Sequence, residues 1–237
     1  YRPNRAILAV VGDVSHQQMV SALGQAFKGW KMGPSESEVS PQPTPGAPEV
    51  VRVNKNITQA NIIVGHAGVP RGHPDYYAIQ VMNYILGGGG FTSRLMEEVR
   101  NQRGLAYSVY SGFYSDNYIG TFQATMQTKN ETAGEAIRIA REEIDRIRQR
   151  GVTEEELEAA KSYLIGSFPL RLDTNRRIAG FLAQVEYLEL GSDYVERYPD
   201  LIRAVSREGV QRAAERYLQP EKLIVVVVAD QGKAALK

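Results

Sequence analysis

The strongest constraint on the fold is a repeat that links the two ends of the chain. Residues 3–13 (PNRAILAVVGD) align without a gap on residues 220–230 (PEKLIVVVVAD), and a tyrosine precedes each proline by two or three residues. Each segment contains the continuous apolar run that is typical of a buried strand. If the two strands are equivalent, the chain first ends one copy of a domain and then contains a second copy. Chance similarity between two apolar strands is the alternative.

The predicted domain boundaries follow from this repeat and from a proline-rich segment. Residues 33–49 contain five prolines, several serines and no periodic apolar pattern, which is the composition of an extended linker. We therefore predict that residues 1–32 form the closing strand (Ala6–Val11) and helix of a mostly absent N-terminal lobe. Residues 33–49 are then the linker, and residues 50–237 form a C-terminal lobe.

Composition excludes several classes of partner. The chain has 28 Lys and Arg against 27 Asp and Glu, a formal charge of +1, so we expect no nucleic-acid partner. It has no cysteine, which excludes disulfides and thiolate metal sites. Its longest strongly apolar run, Leu223–Ala229, is too short to span a bilayer. We expect a soluble protein, and the sequence does not choose between cytoplasm and periplasm.

Periodicity and capping patterns predict a mixture of strands and helices. Ser15 with Gln18, and Thr153 with Glu156, form capping boxes at two helix starts. Thr92 is predicted to cap a helix that runs through Arg100. Further strands are predicted over 50–53, 60–69, 105–114, 119–128 and 223–228, and further helices over 74–86, 137–147, 174–190 and 206–217.

Few residues offer independent catalytic chemistry. The three histidines, His16, His66 and His73, lack the i, i+4 spacing of a helical zinc site and are predicted to be structural. Gly87, Gly88, Gly89 and Gly90 lack the pattern of a phosphate-binding loop, so they form either a tight turn or a mobile lip beside a ligand. Residues 154–156 (EEE) complement the dipole of a helix start.

Residues 91–113 (FTSRLMEEVRNQRGLAYSVYSGF) form the most distinctive stretch. Together with the preceding glycines and the helix-rich tail, it resembles the C-terminal lobe of the pitrilysin-like, or inverzincin, zinc metallopeptidases. Insulin-degrading enzyme and the mitochondrial processing peptidases belong to this family, and the resemblance covers residues 1–230. It implies an α+β fold, with a mixed, largely antiparallel sheet and helices packed on one face.

The resemblance also implies a site. In that family two lobes close as a clamshell, an H-x-x-E-H helix in the first lobe holds zinc, and the second lobe supplies an Arg and a Tyr seven residues apart. That spacing selects Arg100 and Tyr107, rather than Arg103, as contacts to the carbonyl of the scissile peptide. The glycines at 87–90 would border the substrate chamber. The alternative is that Arg100 makes a surface ion pair and Tyr107 fills a strand face.

The zinc motif itself is absent, since no H-x-x-E-H occurs in residues 1–237. We therefore predict that this chain alone is inactive, with no metal site of its own. Zinc and the general base are expected from the N-terminal lobe of the same chain or from a homologous subunit in a dimer, and the expected substrate is a peptide. The alternatives are a non-catalytic scaffold or peptide-binding subunit of the same fold, and an unrelated small α/β binding domain.

Overall fold

The computed structural model describes residues 2–34, 46–234 and 236. They divide into two compact units, which are residues 2–34 with 166–198, and residues 46–165 with 199–234 and 236. Residues 35–45, which hold most of the predicted linker, lie outside the described residues. The domain boundaries predicted above therefore stay a prediction.

The larger unit contains a five-stranded sheet. Its strands are β1 (Val50–Asn54), β2 (Gln59–Ala67), β3 (Ala106–Ser115), β4 (Gly120–Lys129) and β5 (Ile224–Ala229), in the order β1-β5-β2-β4-β3. Only β1 and β5 run parallel, and the other neighbours are antiparallel. The predicted α+β fold with a mixed, largely antiparallel sheet is confirmed.

The helices are α1 (His16–Ala26), α2 (Tyr76–Asn83), α3 (Ala133–Arg150), α4 (Glu154–Ser167), α5 (Asn175–Tyr187), α6 (Tyr194–Arg203) and α7 (Arg207–Tyr217). Of these, α6 has no predicted counterpart, and it contains Pro199. Both predicted capping boxes form, at Ser15 for α1 and at Thr153 for α4. Every helix in the described ranges is too short or too polar to cross a bilayer.

Alternating side chains give the sheet one buried face and one polar face. Ile62, Val64 and Phe122 on β2 and β4 are fully buried, and α3 packs against both strands and against α7. The intervening β4 positions carry polar side chains that are only partly buried; these are Thr121, Gln123, Thr125 and Gln127. Because strand side chains alternate with a period of two, these polar residues point away from the buried face.

The smaller unit is organised around an aromatic cluster. The rings of Phe168 and Tyr198 stack with centroids 4.2 Å apart, and Phe181 and Tyr194 pack around them. Such ring pairs stabilise a fold beyond their buried area. The cluster connects α5 to the turn that follows α4.

One predicted strand, Ala6–Val11, is unpaired within the described residues, and its place in the sheet of an N-terminal lobe stays a prediction. These residues form no strand, and Ile7 and Leu8 are 45% and 58% exposed. An extended segment becomes a strand only by hydrogen bonding to a neighbour, and within the described residues no strand pairs with it. The repeat is nonetheless visible locally, since a 3₁₀ turn at Pro3–Arg5 precedes this segment as a 3₁₀ turn at Pro220–Lys222 precedes β5.

Candidate functional site

The residues selected from the sequence lie in the larger unit, on an irregular helical stretch and on the strand that follows it. A π-helix at Tyr84–Gly88 continues α2, a 3₁₀ turn spans Gly90–Thr92, and a second π-helix spans Met96–Asn101. The predicted cap, Thr92, is wrong, because it lies inside the turn and Ser93 is the extended residue before the helix. π-Helical turns are rare in proteins, and those that occur often lie at functional sites.

At two of the four glycine positions there is a clear structural reason why the residue is glycine. A Cβ on Gly87 would lie 2.4 Å from Ser111 Oγ and 2.6 Å from Ser111 N, so only glycine allows the helix to approach β3 this closely. Gly90 has a φ of +59°, which favours glycine, and starts the 3₁₀ turn. The glycines therefore make a close helix–strand contact and a tight turn. That they border a substrate chamber stays a prediction.

A pair of hydrogen bonds holds this helical stretch on β3. The Ser111 hydroxyl donates to Asn83 Oδ1 at 2.8 Å, and the Asn83 amide donates to the Ser111 carbonyl oxygen at 3.1 Å. Ser111 is 5% exposed. Because bonds between buried groups are costly to break, they fix the end of α2 against the strand that carries Tyr107.

Tyr107 is the extra residue of a β-bulge. Ala106 pairs with Thr128 and Ser108 pairs with Gln127, so Tyr107 has no partner on β4. Its side chain is 80% exposed. Bulges change the direction of a side chain and are over-represented beside active sites. The bulge therefore leaves the Tyr107 phenol accessible, and the alternative in which Tyr107 fills a strand face does not fit this exposure.

Arg100 lies between two aromatic rings. Its Cζ atom is 4.8 Å from the ring centroid of Phe91 and 5.6 Å from the ring centroid of Tyr107. Within the described ranges the Arg100 guanidinium has no ion pair or side-chain hydrogen bond. Cation–π contacts use the faces of a guanidinium, while its five N–H donors lie in the plane. The donors of Arg100 are thus available to an acceptor brought by a ligand.

Arg103, the other candidate arginine, is engaged. It donates to both the backbone oxygen and the carboxylate of Glu98, and Arg146 donates to the same carboxylate at 3.2 Å. The hydrogen bond from Arg103 lowers the pKa of Glu98, and Arg146 adds to the effect. Glu98, Arg103 and Arg146 thus hold the π-helix that carries Arg100. Since Arg103 is already bound to Glu98, Arg100 is the arginine that is able to bind a ligand.

A concavity of about 550 Å³ contains both selected side chains. Arg100 and Tyr107 line it together with Gln59, Gln127 and Lys129. These three residues come from the polar face of β2 and β4. We call this concavity the Arg100 pocket.

A larger concavity, of about 780 Å³, lies on the other side of the same segment and has a structural explanation. There Arg94 donates to both carboxylate oxygens of Glu156, at 2.7 and 2.6 Å, and to the carbonyl of Gly151 at 3.0 Å. Glu143 is 1% exposed, and burial raises the pKa of its carboxyl despite the nearby Arg146. Two of the four arginines that line this concavity, Arg94 and Arg146, are thus bound to glutamates of the chain itself.

Among the described residues no group of three or more His, Cys, Asp or Glu is arranged to hold a metal ion. His66 is 7% exposed, its Nδ1 donates to the Ala67 carbonyl at 2.7 Å, and its Nε2 accepts from the Gln219 N–H at 3.1 Å. Burial lowers the pKa of His66 below its usual value of 6.5. Both ring nitrogens of this core histidine are therefore already used.

Sequence reasoning missed two residues of this site, Phe91 and Lys129. Phe91 follows the glycines and is 68% exposed, which is unusual for a large aromatic side chain. Lys129 continues the polar alternation of β4 by one more step. Both signals are present in the sequence, but only the folded chain brings them to Arg100.

Comparison with known proteins identifies a family. The model of the peptidase M16 inactive domain matches residues 1–164. A Streptomyces coelicolor protein named an uncharacterized zinc protease is 29% identical over 90% of this chain and 49% of its own length. A Helicobacter pylori protein named a non-peptidase homolog is 26% identical over 97% of this chain and 53% of its own length.

A solved structure agrees with these relatives. The crystal structure of a peptidase M16 inactive domain from Pseudomonas fluorescens has a TM-score of 0.84 and 30% sequence identity, over 95% of this chain and 53% of that one. The chain spans about half the length of the curated relatives that it matches. Its likeness is therefore to about half of each relative rather than to the whole protein.

Proposed function

The chain belongs to the peptidase M16 family, as its inactive domain, and from this premise we propose that it is the non-zinc lobe of a zinc endopeptidase. In this proposal Arg100 and Tyr107 donate hydrogen bonds to the carbonyl oxygen of the scissile peptide bond. The zinc-bearing lobe is either the preceding part of the same polypeptide or a homologous subunit in a dimer. The two lobes enclose the peptide substrate between them.

The observation that carries the proposal is the state of Arg100. Its guanidinium lies within cation–π distance of two rings, its donors are not used by the described residues, and the phenol of Tyr107 beside it is exposed. In peptide hydrolysis negative charge develops on the carbonyl oxygen, and donors that are already oriented stabilise that charge without reorganising. A guanidinium and a phenol both donate hydrogen bonds, and the guanidinium also brings positive charge.

In this proposal the zinc lies on the facing lobe. The described residues offer no set of three metal ligands, and the sequence contains no H-x-x-E-H. The role of this lobe is therefore limited to binding and orienting the peptide and to stabilising charge on its carbonyl oxygen.

The N-terminal segment supports the proposed preceding lobe. Residues 6–11 are apolar and without a strand partner in the described ranges, Ala6 is extended, and the turn before them matches the turn before β5. In the proposal, this segment is the last strand of the zinc lobe's sheet. Pairing there would cover Ile7 and Leu8 and satisfy the backbone N–H and C=O groups of the segment.

The test uses the complete enzyme, which carries the zinc lobe. Arg100→Lys and Tyr107→Phe are each expected to lower the rate of peptide cleavage about 100- to 1,000-fold, the usual effect of losing one oxyanion donor. Tyr110→Phe is the matched control, because Tyr110 is 46% exposed on the same strand and lies outside the Arg100 pocket. It is expected to keep wild-type activity.

Two results would overturn the proposal. One is wild-type cleavage by both Arg100→Lys and Tyr107→Phe in enzyme that is folded by circular dichroism. The other is a complete protein, with its partner subunit if it has one, that neither holds zinc nor cleaves peptides. That second result would instead support a non-catalytic scaffold.

A further inference from the structure

We propose that the Arg100 pocket binds a carboxylate of the peptide substrate, and that Lys129 is the residue that selects for it. The inference rests on the proposed function, because it assumes that a peptide enters this pocket. It adds a preference of the enzyme for certain substrates. The contacts to the scissile carbonyl cannot supply such a preference, since every peptide bond has a carbonyl.

The first argument is the charge of the pocket. Among the described residues, Arg100 and Lys129 are the only charged side chains that line it, and no carboxylate does. Within the described ranges neither cation has an ion pair or a side-chain hydrogen bond. Two like charges without counter-ions in one concavity give a positive potential that attracts anions.

The second argument is the contrast with the larger concavity nearby. There Arg94 is bound by Glu156, and Arg146 is bound by Glu98 and Glu143. Arg150 and Arg207 also line the larger concavity, and six glutamates line it beside the four arginines. Among the described residues no carboxylate lines the Arg100 pocket, so its two cations lack a counter-ion there. That difference is expected if the counter-ion of the Arg100 pocket arrives with a ligand.

The third argument is the placement of Lys129 on the sheet. It is the last residue of β4, its backbone pairs with Gln59 of β2, and its side chain is exposed. Gln127, two residues earlier, lies on the same polar face. A carboxylate has two oxygens that accept about four hydrogen bonds, which suits one ammonium with amide donors beside it. The pocket therefore fits a carboxylate better than an apolar side chain.

Two groups of a peptide carry this chemistry, an acidic side chain near the scissile bond and the C-terminal carboxylate. Substrate pairs separate them. One pair has the same sequence with Glu or Gln beside the scissile bond, and the other has the same sequence with a free or an amidated C-terminus. Each pair differs by one negative charge and little else.

The experiment measures cleavage and equilibrium binding of these pairs by the complete enzyme. Binding is followed with fluorescently labelled peptides, with cleavage stopped by a chelator. We expect wild-type enzyme to bind and cleave the carboxylate member of one pair about fivefold better than the neutral member. This fold-change corresponds to the largest stabilisation that an exposed ion pair usually provides. The preference should weaken as salt is raised.

Lys129→Gln should remove most of this preference in binding and in cleavage. Lys55→Gln is the matched control, because Lys55 is also an exposed lysine of the larger unit but does not line the pocket. It should leave the preference unchanged. Circular dichroism checks that both variants fold.

Equal binding of both members of both pairs by wild-type enzyme would overturn the inference, as would a preference that Lys129→Gln leaves intact. If Arg100→Lys and Tyr107→Phe cleave normally while the carboxylate preference depends on Lys129, the proposed function fails and the subsite stands. If those variants are impaired and no preference exists, the subsite fails and the proposed function stands.

Discussion

Gly87→Ala tests the close contact between the glycine-rich turn and β3. The added Cβ would lie 2.4 Å from Ser111 Oγ, 2.6 Å from Ser111 N and 2.8 Å from Leu95 Cδ1. One of these atoms belongs to the backbone of β3, so rotation of a side chain cannot relieve the clash. We expect a loss of about 1–3 kcal/mol in the free energy of unfolding, the usual cost of overpacking. For a chain of this length the melting temperature should fall by roughly 3–10 °C.

The assay is thermal and urea unfolding followed by circular dichroism. Gly166→Ala is the matched control, because Gly166 lies within α4 and a Cβ there meets no atom within 4 Å. It should leave stability unchanged or raise it by up to about 1 kcal/mol, since alanine favours a helix over glycine. If Gly87→Ala unfolds at the same temperature as wild type, helix and strand do not approach as closely as described, and the steric explanation of Gly87 is refuted.

Two further perturbations test the surroundings of the site. The lowered pKa of His66 means that the unfolded chain binds a proton first, so stability should fall as the pH drops from about 6.5, the unfolded value, towards the folded pKa. Urea unfolding of wild type and His66→Gln at pH 7.5 and 5.0 checks this, and an equal loss of stability in both would contradict it. Arg94→Lys cannot reproduce the bidentate hydrogen bonding to Glu156 and should lower the free energy of unfolding by about 1–2 kcal/mol. Arg138→Lys, at an exposed helical pair with Glu142, should change it by less than about 0.5 kcal/mol, and equal effects of the two would contradict this role.

The parts of the fold that sequence predicted well are those fixed by neighbouring residues. The capping box of Thr153 and Glu156 joins residues three apart, so the pattern alone identifies it. The two strands predicted over 105–114 and 119–128 are likewise close in sequence, and they form the antiparallel pair β3 and β4. The strand at Ala6–Val11 stays a prediction for the opposite reason, because strand pairing depends on a distant partner and no described residue pairs with this segment.

The candidate site was predicted in its residues but not in its geometry. The spacing of seven selected Arg100 and Tyr107, but apolar periodicity does not reveal the π-helix that carries the first or the bulge that carries the second. Nor could it show that Arg103 is held by Glu98, since that choice depends on side chains meeting in space. Lys129 comes to the pocket only through the register of β3 on β4.

The strand order has a consequence for how the larger unit is made. The last strand of the chain, β5, lies between β1 and β2, and its pairing joins Asn54 to Ala229. On the ribosome β1 therefore has no place in this sheet until residues 224–229 have been synthesised, and until then β2 presents an open edge. Such long-range pairing is slow to form and exposes nascent chains to aggregation. Deletion of residues 224–229 would remove a central strand, so a variant without them should not complete this sheet.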